Sequence, residues 1–151
     1  MKRNGKHNVV GAIGAAAGFA LATSLWMVAP VASAADITTS PPASFKKVSS
    51  LVKLPDYLPG LGTLYVDPST LPVGPFLGYD HKGKLVNITY MIPLKDLDGH
   101  KNFEALGGVA AGVKLNHTAI EYNPGHPGVE EPHYHVVQWL ISPAAVKAQM
   151  Q

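Results

Sequence analysis

Four of the seven histidines, His117, His126, His133 and His135, fall within nineteen residues, with Glu121, Glu130 and Glu131 among them. Neutral imidazoles plus an oxygen ligand are what a divalent zinc, copper, manganese or iron ion accepts, with a position left for water. His133 and His135 are two residues apart, so in a strand they share a face, roughly 6.5 to 7 Å apart along the backbone. His117, Ala119 and Glu121 share a face by the same rule. If the two segments pair as an antiparallel hairpin, those faces coincide and gather two or three imidazoles and a carboxylate.

The expected ligands of one divalent metal ion are therefore His133, His135, His117 and Glu121, with His126 a lesser candidate between Gly125 and Pro127 at a loop tip. Such an ion would polarise a substrate or lower the pKa of its water. The same residues also have a purely structural reading. His133 can bond loop carbonyls, His135 can pack beside Tyr134 and Trp139, and His126 can simply be exposed. Spacing alone does not contain the strand register that decides between the two.

Other chemistries find less support. The chain has no cysteine, which excludes disulfides, thiolate metal sites and cysteine nucleophiles. No Gly-x-Ser-x-Gly elbow or Ser-His-Asp arrangement is present. Gly60-Leu61-Gly62 lacks the strand, helix and acidic partner of a dinucleotide site and reads as turns, so no nucleotide, haem or flavin is expected. Asp96, Asp98 and Glu104 do not follow calcium-loop spacing. Glu130-Glu131 reads as a solvated pair, and His81 and His100 as surface residues.

The elements that must position the histidines follow an export signal. Lys2, Arg3 and Lys6 precede a run from Asn8 to Ala35 without a charged residue or histidine, and Ala32-Ser33-Ala34 closes it as a signal-peptidase site. A charged end stays inside while an apolar helix enters the bilayer. The competing reading, an N-terminal membrane anchor, is disfavoured because the run is largely Ala and Gly rather than Leu and Ile. The expected organisation is a signal over 1–34, a flexible leader over 35–44 and one domain over 45–151, secreted or retained in the cell envelope. With the signal removed, nine Lys and Arg face ten Asp and Glu, and no basic patch remains for nucleic acid.

Within the domain, apolar residues at 45, 48, 51, 52 and 54 predict a short helix ended by Pro55. Closely spaced Pro and Gly from Pro55 to Gly78 leave room only for short strands, most clearly Gly62 to Val66. Pro75 to Tyr79 and Leu85 to Ile92 flank a turn with Gly83, a hairpin signal, with Val86, Ile88, Tyr90 and Ile92 as its core face. A second short helix is expected in Leu94 to Leu106, mainly over its His100 to Leu106 half, stopped by Gly107-Gly108. Strands follow from about Val113 to Tyr122 and over Tyr134 to Ile141, then a helical tail capped by Ser142 with Pro143 in its first turn. The predicted class is mainly β: a compact antiparallel sheet or barrel-like domain with two or three short helices.

The segments DYLPGLGTLYVDPSTLPVGPFLGYD, LVNITYMIPL and EYNPGHPGVEEPHYHVVQWLIS also resemble a family of small secreted bacterial domains of unknown function. The resemblance spans roughly Leu54 to Ser142 and is most specific at Pro124 to Gly128 and Pro132 to Tyr134. The family's founding structure is a Thermus protein that forms a ring-shaped oligomer, so a compact β-rich fold, export and a homo-oligomer are implied. Relatives often carry a further histidine two residues beyond the position of His135. Here that position is Val137, which puts a conventional three-histidine site of that kind in doubt.

Two function classes remain. One is a non-enzymatic exported binding or structural module that holds a metal through the histidines. The other is a metal-dependent, cupin-like enzyme using His133, His135 and His117 or Glu121, although the order of residues departs from the cupin pattern Gly-x5-His-x-His-x3,4-Glu. The first is favoured, since no nucleophile or cofactor motif accompanies the histidines. Amino-terminal sequencing of the exported protein is expected to begin at Ala35; a start at Met1 would instead establish a retained anchor.

Overall fold

A computed structural model describes residues 36–104, 106–107 and 113–151. The signal segment and the expected Gly108 stop lie outside the described residues, and the strand expected from about Val113 begins at His117. The fold is an open six-stranded antiparallel sheet. Its strands are β1 (Lys46–Lys47), β2 (Thr63–Val66), β3 (Phe76–Tyr79), β4 (Leu85–Pro93), β5 (His117–Asn123) and β6 (His133–Trp139), in the order β1-β2-β3-β4-β6-β5. The sheet does not close into a barrel, because β1 and β5 stand at opposite edges. Among the described residues two short α-helices accompany it, α1 (Leu94–Asp98) and α2 (Pro143–Gln149).

The sheet is built around β4, whose nine residues are all buried. One face carries Leu77, Tyr79, Leu85, Ile88, Tyr90 and Ile92. The other carries Leu64, Val66, Phe76 and Met91, continuing into Val86, Val137, Trp139 and Met150. Period-2 alternation accounts for this division except at Leu85 and Val86, which have exchanged the faces that counting back from Ile88 gives them. The β3–β4 register shifts at Gly78/Tyr79, pairing Gly78 with Asn87 but Tyr79 with Leu85. The unpaired Val86 is a bulge residue that turns to the opposite face, beside Val137 and Trp139.

Three expectations change in the folded chain. Residues 45–54 form no α-helix: Lys46–Lys47 pair with Val66 and Tyr65 at the sheet edge, and a single 3₁₀ turn follows at Val48–Ser50. Edge pairing demands extended backbone, which a helix cannot share, and Val48 still reaches the core. The short helix after Pro93 lies at Leu94–Asp98 rather than over His100 to Leu106. Gly99 ends it, and His100 turns to a φ of 57°, which no helix continues. The leader is also docked at residues 37–38, since Ile37 is buried and its carbonyl accepts from the Tyr79 hydroxyl (2.7 Å), while the Thr38 carbonyl accepts from Leu85 N–H (2.8 Å). The tail is as expected, with Ser142 Oγ accepting from Ala145 N–H at 3.2 Å.

The centre of the sheet depends on one buried amide. Asn87 is fully buried, donates from Nδ2 to the Leu61 carbonyl (2.8 Å) and accepts from Thr89 Oγ1 (3.1 Å). It lies where a Cβ on Gly78 would be. Gly78→Ala is therefore expected to cost about 1–3 kcal/mol by overpacking. In an Asn87→Ala background the same change should cost much less, and denaturant unfolding of the four proteins in that cycle measures the coupling.

Candidate functional site

β6 lies between β4 and β5 and is paired along its length with both. His133 and His135 stand opposite Pro93 and Met91 on one side and opposite Asn123 and Glu121 on the other. The double pairing fixes the register, so both imidazoles point to the covered face with Val137 and Trp139. His133 is completely buried and His135 is 8% exposed.

The loop from β5 to β6 returns a third imidazole to them. Asn123 Oδ1 accepts from Gly125 N–H (2.8 Å), which folds the chain back as it leaves β5. His126 and Val129 then exchange both backbone hydrogen bonds at 2.9 Å around Pro127-Gly128. Proline followed by glycine at φ 90° is the pattern of a type II turn. A Cβ on Gly128 would come within 2.6 Å of Val52, so the glycine also lets the turn seat against residues 48–54. His126 is consequently half-buried rather than free at a loop tip.

The result is a compact triad. The ring centroids are 4.9 Å apart for His133 and His135, 5.0 Å for His126 and His133, and 5.8 Å for His126 and His135. One ring nitrogen from each lies within 4.8 Å of the other two. His133 Nδ1 donates to the Glu131 carbonyl at 2.8 Å, and His126 Nδ1 lies 3.2 Å from the Pro127 carbonyl. Carbonyls only accept, so Nδ1 carries a proton in both rings, and the tautomer this selects for metal binding leaves the Nε2 lone pair free. His133 Nε2 and His135 Nε2 are 3.0 Å apart. Two nitrogens about 2.0–2.1 Å from a tetrahedral zinc ion would be separated by about 3.3 Å, so little movement is needed to admit one. Backbone carbonyls that fix the outer nitrogens are the partners metal-bound histidines ordinarily have.

The other expected ligands lie elsewhere. His117 is opposite Trp139 in the register and stacks on its indole, with centroids 6.3 Å apart. Its ring Nδ1 approaches Asn116 Oδ1 at 3.1 Å. Four residues along β6 separate Trp139 from His135, so His117 shares the face of the triad but not its place. Glu121 is directly opposite His135, yet it is exposed and outside the group of converging ligand atoms. Among the described residues, the third histidine of the cluster is His126. Its signal in the sequence is the Pro-Gly pair closed by Val129, which makes the segment a tight turn folded on the core.

An apolar cavity of about 330 Å³ adjoins the triad, lined on one side by His126, His135 and Asn123. Most of its wall comes from residues 48–76, including Val52, Leu54, Leu64 and Phe76.

The chain is similar to the crystal structure of a hypothetical protein, TTHB210, from Thermus thermophilus. The two share 42% identity with a TM-score of 0.57, over 64% of this chain and 93% of that one. The chain belongs to the family of that Thermus protein. No protein-family model and no curated protein matches it. That likeness carries the family and the fold and no activity.

Burial holds the His135 imidazole well below its ordinary range, to about 4, with His133 and His126 adding repulsion to its charged form. In the metal-free protein the unfolded chain takes up this proton near pH 6.5, whereas the folded chain resists it until about pH 4. Stability from this group is complete above pH 6.5 and falls as the pH drops to 4, by roughly 3 kcal/mol at most. Denaturant unfolding between pH 7.5 and 4 should show that decline, and a His135→Phe variant should show much less of it.

Proposed function

We propose that the protein is an exported, non-enzymatic binding module that holds one divalent metal ion through His126, His133 and His135. The observation that carries this reading is the convergence of three imidazoles. Backbone carbonyls orient those of His126 and His133, and the Nε2 atoms of His133 and His135 are 3.0 Å apart. Three neutral nitrogens at this spacing favour a borderline ion such as zinc, with a fourth position open. The ion's chemistry is that of a Lewis acid, while the chain's own residues provide orientation and a dry, apolar surround. Export rests on the charged start, the uncharged run and the Ala-Ser-Ala site.

Self-association belongs to the same reading. The edge strand β5 presents Ile120 and Tyr122, 69% and 57% exposed, on the face away from the triad. An exposed apolar edge of this kind favours pairing with a second copy. The enzyme alternative built on His117 or Glu121 loses its support, because neither joins the converging nitrogens.

Elemental analysis of the untagged exported protein is expected to give one zinc-class ion per chain. His133→Ala combined with His135→Ala should abolish it, and His126→Ala should weaken zinc affinity at least tenfold. His117→Ala should leave it unchanged. Metal-free wild type that takes up no added zinc would overturn the proposal and leave the triad as an anchor for the β5–β6 loop.

A further inference from the structure

The cavity beside the triad has a polarity pattern that specifies a ligand class. Only Thr89, Asn123, His126 and His135 among its lining residues carry polar side chains, and none carries a formal charge. Thr89 Oγ1 is already used, donating to Asn87 Oδ1. The remaining three lie together where the β5–β6 loop and β6 meet. The rest of the wall is Val, Leu, Pro, Phe and Met, with Gly128. At about 330 Å³ it stands at the small end of the 300–1,000 Å³ range typical of small-molecule sites.

An ion at the triad would bring charge +2 to this end, and none of its three ligands offsets it. Glu121, the carboxylate nearest in register, is turned to solvent. An anionic oxygen donor therefore suits the open coordination position, while an uncharged alkyl chain suits the wall. A sugar or a peptide would strand polar groups against Val52, Leu54, Leu64 and Phe76. A dicarboxylate would bury its second charge among the same residues.

We propose that this cavity binds a medium-chain monocarboxylic acid, its alkyl chain among the apolar side chains and its carboxylate on the ion held by His126, His133 and His135. The inference rests on the metal reading above and adds the ligand to it. Leu51 and Leu71, 41% and 45% exposed, line the cavity at its outer side. A carboxylate introduced at either position can stay solvated in the folded protein, yet it opposes an incoming acid and its chain.

Calorimetric titration of the exported protein tests the two steps separately, with zinc first and then decanoate into the zinc-loaded and chelator-stripped forms. Zinc should bind the wild type and a Leu51→Glu, Leu71→Glu variant alike. Decanoate should bind zinc-loaded wild type at least tenfold more tightly than the stripped form, and at least tenfold more tightly than decanol binds the same protein. The double variant should lose decanoate binding by tenfold or more while keeping zinc. Zinc binding without decanoate binding would overturn the inference and leave the metal reading standing. Equal affinity for decanoate and decanol, or for loaded and stripped protein, would remove the carboxylate–ion contact and overturn it as well. Absence of zinc binding would remove both. A double variant that dissociates an oligomer, in a protein whose wild type ignores decanoate, would overturn it by assigning the cavity to a second copy.

Discussion

Two histidines separated by one residue can face the interior together only while their strand keeps a single register. β6 is held in that register from both sides, by β4 over seven residue pairs and by β5 over seven more. A slip by one residue would carry His133 and His135 to the opposite face and bring Tyr134 and Val136 inward. Most of the site follows from this pairing. It sets the imidazoles beside Met91 and Pro93, positions Asn123 to begin the return of the loop, and stacks His117 on Trp139 away from the triad.

The loop contributes the remaining part. Proline and glycine at 124, 125, 127 and 128 cost the chain little extra in a tight connection, because such residues suit turns and not strands. Their arrangement aims His126 at the pair on β6 and seats the turn against Val52. The segment before β2 then closes the same face and leaves a cavity between itself and the sheet. The loop packed on β6 thus forms the site and one wall of the cavity, which explains why they adjoin.

The sequence discloses the central hairpin and β6 well, since their β-branched and aromatic residues lie between clear turn signals. The face assignment of β4 is legible from Ile88 to Ile92 and fails at Leu85 and Val86, because a bulge leaves no local mark in the alternation. Residues 45–54 look helical by spacing, but Lys46 and Lys47 are recruited as an edge strand by β2, a partner well beyond any local window. His133 and His135 stand out as a pair. His117 suggests itself as their companion because it shares their face, but only the register shows it opposite Trp139. His126 looks exposed when the loop is read as a tip; the Pro127-Gly128 turn closed by Val129 is what buries it. The shared family with the Thermus protein supports the β-rich architecture and supplies no chemistry.

The central claim is that one ion sits among three histidines brought together by a strand and a turn. An anomalous difference map from crystals of the exported protein grown with zinc tests it most directly. The account predicts a single strong peak about 2.0–2.1 Å from a nitrogen of each of His126, His133 and His135. A peak at His117 or Glu121, or no peak at the triad at full zinc occupancy elsewhere, would contradict it.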